Sequence, residues 1–265
     1  MRLAATILLI SIAAALLLAN AVAPHSYSHQ FREASNASPS RLYPLGTDAL
    51  GRDRLSRLLC GGRISLLLAP AAALLSTLLA LGAGLAAGCF GRAAERVVSS
   101  LADLSLSLPW LFALLAVRAL LPLNAPPTAT VLTTFGLLGL LGWAGPCRII
   151  LAAVKRHRAS DFALFARASG CSGWRFATVH LTPNLLPIAG AQFLIATPLF
   201  LLAEANLGLL GLGIPEPVPS LGGMMRDLEY LPGALAHPWM LAPALLLFVV
   251  VSCCHLLAPA DKSYV

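Results

Sequence analysis

Two carboxylates set in apolar sequence are the residues of this chain most able to do chemistry. Glu204 follows the run 176–203, which has no Asp, Glu, Lys or Arg, and Asp103 lies in an apolar stretch, 97–121, whose one other charge is Arg118. A carboxylate at membrane depth is costly and usually faces the bundle interior or water. Two roles stay open for Glu204: a hydrogen bond to a neighbouring helix, or a polar point on a solute path. Asp103 has the same alternatives, or solvation near the interface. Arg118 lies near the end of its stretch and is expected to snorkel.

Other chemistries lack their residues. His25 and His29 are four apart but follow Pro24 in a polar segment, and no HExxH occurs, so no metal site is expected. Cys60, Cys89, Cys147, Cys171, Cys253 and Cys254 show no CxxC spacing and read as small apolar fillers. The two lysines, Lys155 and Lys262, follow Val154 and Asp261. A phosphate loop needs Gly before its Lys, so this chain holds no P-loop for ATP. No convergent His, Asp and Ser set suggests a membrane-embedded enzyme.

The elements that must position these residues are written in the charge distribution. The chain has 265 residues, 58% hydrophobic and 11% charged. A soluble domain is usually about 45–50% apolar and about 25% charged. Runs without Asp, Glu, Lys or Arg span 3–31, 64–91, 119–147, 176–203 and 230–260. About 20 apolar residues cross a bilayer as a helix. The expectation is an all-α polytopic membrane protein with about six transmembrane helices, at 3–23, 64–90, 97–121, 129–151, 191–213 and 239–258. Ala21-Val22-Ala23 looks like a processing site, but the preceding apolar run is long for a leader, so an uncleaved anchor is expected.

Positive charge suggests N-in and C-in topology. Arg2, Arg92, Arg96, six basic residues from Arg148 to Arg175, and Lys262 would share the cytoplasmic side. The bias is weak, because Arg32, Arg41, Arg52, Arg54, Arg57 and Arg63 crowd the opposite loop. The net charge of +7 then reads as headgroup and partner contacts, with no nucleic acid. Gly84 and Gly88 form a GxxxG pair suited to close helix packing, and Gly139, Gly142 and Gly145 resemble it. Gly208, Gly211 and Gly213 would pack or loosen the end of the fifth span.

The segment 152–190 reads as two short helices broken by Gly170, with Pro183 and Pro187 punctuating the approach to the next span. Phe162, Phe165 and Trp174 would form an apolar knob that needs a cover. The sequence Phe162-Ala163-Leu164-Phe165-Ala166-Arg167-Ala168-Ser169-Gly170, with the later Pro183-Asn184 and Pro187, resembles the cytoplasmic loop of ABC-importer permeases. Leu164 stands where that motif has Glu, and Phe165 where it has its first Ala. Gly46-Thr47-Asp48-Ala49-Leu50-Gly51-Arg52-Asp53 resembles the pre-membrane signature of the dipeptide, oligopeptide and nickel permease group. Asp103 with Pro109, and the stretch from Glu204 to Gly213, are similar to its third-span and fifth-span patterns. The similarity covers about residues 41–258. Read locally, the Gly46–Asp53 stretch is a turn leading into an interfacial helix. Asp48 would cap it, and Arg52, Arg54 and Arg57 would face headgroups.

The resemblance implies a type I ABC-importer permease fold in the inner membrane of a bacterial cell. It implies a transmembrane anchor at 1–23, an extracytoplasmic loop at 24–63, a five-helix core at 64–258 with the coupling loop 152–190 inside it, and a cytoplasmic tail at 259–265. It also implies a second permease, two cytoplasmic ATPases that bind ATP and Mg, and an extracytoplasmic binding protein. This chain itself would perform no bond chemistry. Phe162, Leu164, Phe165, Ala166, Ala168, Gly170, Pro183 and Asn184 would form the coupling loop. Dipeptide, longer peptide and nickel stay open as cargo. A self-sufficient secondary transporter would predict an internal repeat with broken midplane helices, and the unequal loops speak against one.

Overall fold

The computed structural model describes residues 2–109, 112–116, 126–161, 163, 165, 169, 173–229 and 237–257. The main helices are α1 (Arg2–Leu17), α2 (Arg54–Cys89), α3 (Arg92–Ser107), α4 (Pro127–Leu141), α5 (Ala144–Arg158), α6 (Thr182–Leu209) and α7 (Ala242–Leu257). Four helical stretches among the described residues are long and apolar enough to cross a membrane: Arg54–Cys89, Pro127–Arg158, Phe176–Leu209 and Pro238–Leu257. The chain is an all-α, multi-pass membrane protein. Apolar α1 is shorter at 16 residues, and the turn Ala19–Val22 continues it.

Three element bounds differ from the expectation, each for a local reason. The helix expected from 64 starts ten residues earlier, at Arg54, because Asp53 caps it: the Asp53 carboxylate accepts from the Ser56 amide at 3.0 Å. The span expected over 97–121 is not one helix. It stops at Ser107, and Leu108 is extended (ψ 129°), because the ring of Pro109 disfavours helical backbone in the residue before it. Residues 112–116 are helical again, and Arg118 lies outside the described residues.

The third difference is at Pro183 and Pro187, which do not interrupt the chain. Both lie within α6, and Gly173–Leu181 leads into it without a break. Phe176–Leu181 is wound as a π-helix, and the Thr182 amide reaches back five residues to the Ala177 carbonyl. The wider winding absorbs the missing amide of Pro183. Asn184 Nδ2 donates to the His180 carbonyl at 2.7 Å, which supplies a partner for a helix carbonyl near the disturbance.

α2 is the hub, packing against α1, α3, α4, α5 and α6. Its buried side carries Ala69, Ala72, Ala73, Ser76, Ala80, Gly84, Ala87 and Gly88, small residues spaced three or four apart. Between helices in lipid there is no water to expel, so close backbone approach supplies the attraction. The sequence reading of Gly84 and Gly88 holds. A Cβ at Gly84 would come within 2.7 Å of Ile150 Cγ2, and one at Gly88 within 2.2 Å of Val154 Cγ1, both on α5. Gly142 fits under Phe200 in the same way, whereas Gly145 faces open space. The described cysteines are free, and all are buried or half-buried.

Candidate functional site

Two regions at opposite ends of α2 hold the residues that the sequence singles out. The first is a collar made by residues 24–57 and the chain after α6. Gly46 and Gly51 turn it with φ of +68° and +73°. A Cβ on Gly51 would lie 2.1 Å from the Phe31 carbonyl oxygen, and one on Gly46 would lie 2.4 Å from that of Ala37, so both turns need glycine. The Thr47 amide donates to the Ala37 carbonyl at 3.0 Å, and the Ala37 amide donates back to the Thr47 hydroxyl at 2.8 Å. The Thr47 hydroxyl in turn donates to the Ala34 carbonyl. These bonds fold 31–53 into a compact loop pinned to the start of α2.

The charged residues of the signature lock this loop from inside. Asp48 Oδ1 accepts from the Leu50 and Arg52 amides, both at 2.9 Å, and Oδ2 accepts from Arg52 Nε at 2.7 Å. Asp48 therefore closes its own turn rather than capping α2; that role belongs to Asp53. Arg52, Arg54 and Arg57 do not face headgroups. They are 6–7% exposed, and each has a carboxylate partner. Arg52 and Arg57 share Glu216, with Arg57 Nη2 at 2.8 Å. Arg54 Nη1 reaches Asp227 at 2.9 Å, while its Nε donates to the Thr47 carbonyl at 3.0 Å. Burial opposes the charge on Arg52, but hydrogen bonds to Glu216 and Asp48 outweigh it and hold its pKa above the ordinary value. Burial also opposes the charge on Glu216, and the guanidiniums of Arg57 and Arg52 outweigh it, holding this carboxyl below the usual range.

Gly46, Thr47, Asp48, Gly51, Arg52 and Asp53 are thus brought together in one cluster. The residues missed from sequence are their partners, Glu216 and Asp227, about 160–170 positions away. Their signal was present, since they are among only 11 acidic residues in the chain. His25 packs between Phe31 and Tyr43 at ring-centroid distances of 4.9 and 5.5 Å, and His29 packs on Phe31.

Glu204 sits directly beneath the collar, fully buried. Its carboxylate accepts from Ser65 Oγ of α2 at 3.2 Å and from the Gly222 amide at 3.2 Å. Ser220 caps the turn Leu221–Met225 by accepting from the Gly223 amide at 2.9 Å. Gly208 makes the approach close enough: a Cβ there would fall 2.0 Å from the Gly222 carbonyl carbon. Glu204 therefore ties α6, α2 and the post-α6 turn together, which is the helix-bonding alternative.

The second region is the far end of α2. Asp103 pairs with Arg148, and Glu95 with Lys155, so α3 runs antiparallel to α5. All four side chains are substantially exposed. Arg158 donates to the Gly88 carbonyl, supplying a basic partner at the C-terminus of α2. Of the coupling-loop residues, Phe162, Leu164, Ala166, Ala168 and Gly170 lie outside the described residues. Phe165 is 73% exposed, while Ala163 is buried against the α5 side of the core. Pro183 and Asn184 lie at the start of α6.

Residues 80–259 match the family described as binding-protein-dependent transport system inner membrane component. Among curated relatives, the dipeptide transport system permease protein DppC of Bacillus subtilis is 32% identical over 82% of this chain and 66% of its own length. DppC of Lactococcus lactis is 30% identical over 74% of this chain and 57% of its own. The oligopeptide transport system permease protein OppC of Mycobacterium tuberculosis is 32% identical over 91% and 84%. The chain thus spans less than two thirds of the two dipeptide relatives. The matched region takes in Asp103, the segment 152–190 and Glu204, and of α2 it takes in the last ten residues. The chain belongs to the family of binding-protein-dependent transport system inner membrane components.

Proposed function

We propose that this chain is one of two membrane subunits of an ATP-driven importer for short peptides, working in the inner membrane of a bacterial cell. The observation that carries this reading is its likeness, over most of its length, to relatives named as dipeptide and oligopeptide permeases. A second, similar permease would complete the path, and an extracytoplasmic binding protein would deliver the peptide at the collar. Two cytoplasmic ATPase subunits would bind ATP and Mg and supply the work. Their seat would be the segment 159–181, where the exposed apolar side chain of Phe165 needs a cover. Leu164 and Phe165 in place of the family's Glu and Ala make that seat more apolar, which predicts a matching apolar groove on the ATPase.

The deciding experiment is uptake of a labelled dipeptide, a labelled pentapeptide and nickel by cells lacking this chain, with and without a plasmid copy. Restored peptide uptake with unchanged nickel uptake is the expected result. Restoration of nickel alone would overturn the cargo, and restoration of none would overturn the importer reading. A cysteine at Phe165 should crosslink to a copurifying ATPase, and failure to crosslink in an active complex would remove the proposed seat.

A further inference from the structure

Two cavities meet beside the start of α2, and their linings are unlike. One, of about 410 Å3, is lined by Asn20, Pro24, His25 and Ser26. The other, of about 450 Å3, is lined mainly by Leu67, Val131, Leu132 and Val218, with Arg63 and Thr128. Tyr27 and Cys60 border both, so the two lie side by side, a polar recess beside a largely apolar cleft.

The cleft's charge and depth identify an occupant. Arg63 is the last charged residue before the charge-free run 64–91, which places it at the boundary of the hydrocarbon. Asn20 Oδ1 accepts from Arg63 Nη1 at 3.0 Å and orients the guanidinium. The positive end of 15-residue α4 enters at Thr128, and Pro126 offers it no side-chain cap. Tyr27 stands where interfacial aromatics gather. Below this level the cleft opens outward between Leu67 and Leu132, which are 52% and 63% exposed. We propose that the cleft binds one anionic glycerophospholipid from the leaflet on the collar side. The phosphate lies against Arg63 and the start of α4, and an acyl chain runs along Leu67 and Leu132. Lipid is favoured over a polypeptide because the charged group and the apolar trough are stacked along the membrane normal, with the cation at headgroup depth.

The test is native mass spectrometry of the full chain, titrated with phosphatidylglycerol or phosphatidylcholine in mild detergent. The wild type should retain one phosphatidylglycerol in preference to phosphatidylcholine. Arg63→Gln should weaken that retention about tenfold, the loss of one charge-assisted contact. Leu132→Trp should reduce retention of both lipids by filling the apolar cleft. Equal retention of the two lipids by the wild type overturns the proposal, as does unchanged retention by a folded Arg63→Gln protein. Should Arg63→Gln not fold, unchanged retention by Leu132→Trp overturns it. Lipid excluded from the wild type by a coexpressed second permease would make the cleft a subunit seam and also overturn the proposal.

Discussion

The two ends of α2 are both rich in arginine, yet they use it in opposite ways. At the collar, the guanidiniums of Arg52, Arg54 and Arg57 are buried and pair with buried Asp48 and with Glu216 and Asp227, whose own side chains open outward. Toward the far end, Arg148 and Lys155 pair with Asp103 and Glu95 on the outer surface of the chain. Breaking a buried pair leaves a charge without water, whereas a surface pair exchanges its partner for water at little cost. The collar is therefore built to hold one shape. The far end leaves Phe165 and its charged pairs uncovered in this chain.

This contrast can be broken by substitution. The largest effect is expected at Gly208→Leu, whose side chain would overlap the backbone of Gly222. The variant should fail to accumulate as folded protein on size-exclusion chromatography, and normal yield would mean that the contact is not needed. Next is Glu204→Leu, which leaves the Gly222 amide and the Ser65 hydroxyl without their acceptor. It should cost about 1–3 kcal/mol in thermal or denaturant unfolding, with Glu204→Gln, which keeps an acceptor oxygen, in between.

Glu216→Gln should cost about 1 kcal/mol at neutral pH, because its carboxylate is half open to water. The sign of its pH dependence follows from its lowered pKa. A carboxyl held below its unfolded value of about 4.3 stabilises the fold above that pH, and the contribution disappears as pH falls through the lower folded value. The gap between wild type and Glu216→Gln should therefore close on acidification below about pH 4, and a gap that widens would contradict the Arg52–Glu216–Arg57 cluster. The smallest effect is expected for Lys155→Ala, within about 0.5 kcal/mol. A cost matching that of Glu204→Leu would erase the distinction between the ends.

The sequence announced the spans because lipid enforces a simple rule on charge, and Ile64 to Gly91 obeys it without exception. It also marked the turn at Asp48, whose carboxylate acts on amides within a few positions. What it concealed was long-range. The apolar and basic pattern around Arg52–Arg57 reads as an interfacial helix until Glu216 and Asp227 are brought alongside. The same limit applies at Pro183, where a local rule predicts a break and a π-turn over Phe176–Leu181 removes the need for one. Glu204 could be singled out by its setting, but choosing between its two roles required Ser65 and Gly222, which no local pattern links to it.

The length of α2 has a consequence for the height of the collar. At about 1.5 Å per residue its 36 residues extend about 54 Å, against a hydrocarbon thickness of about 30 Å. The first ten residues, Arg54 to Arg63, precede the charge-free run and make up about 15 Å of that length. The ion-paired cluster therefore stands on a plinth, raised clear of the headgroups by a rigid post and braced by residues 204–229. A soluble protein arriving from that side would meet a polar platform at a fixed elevation, without first having to touch the bilayer.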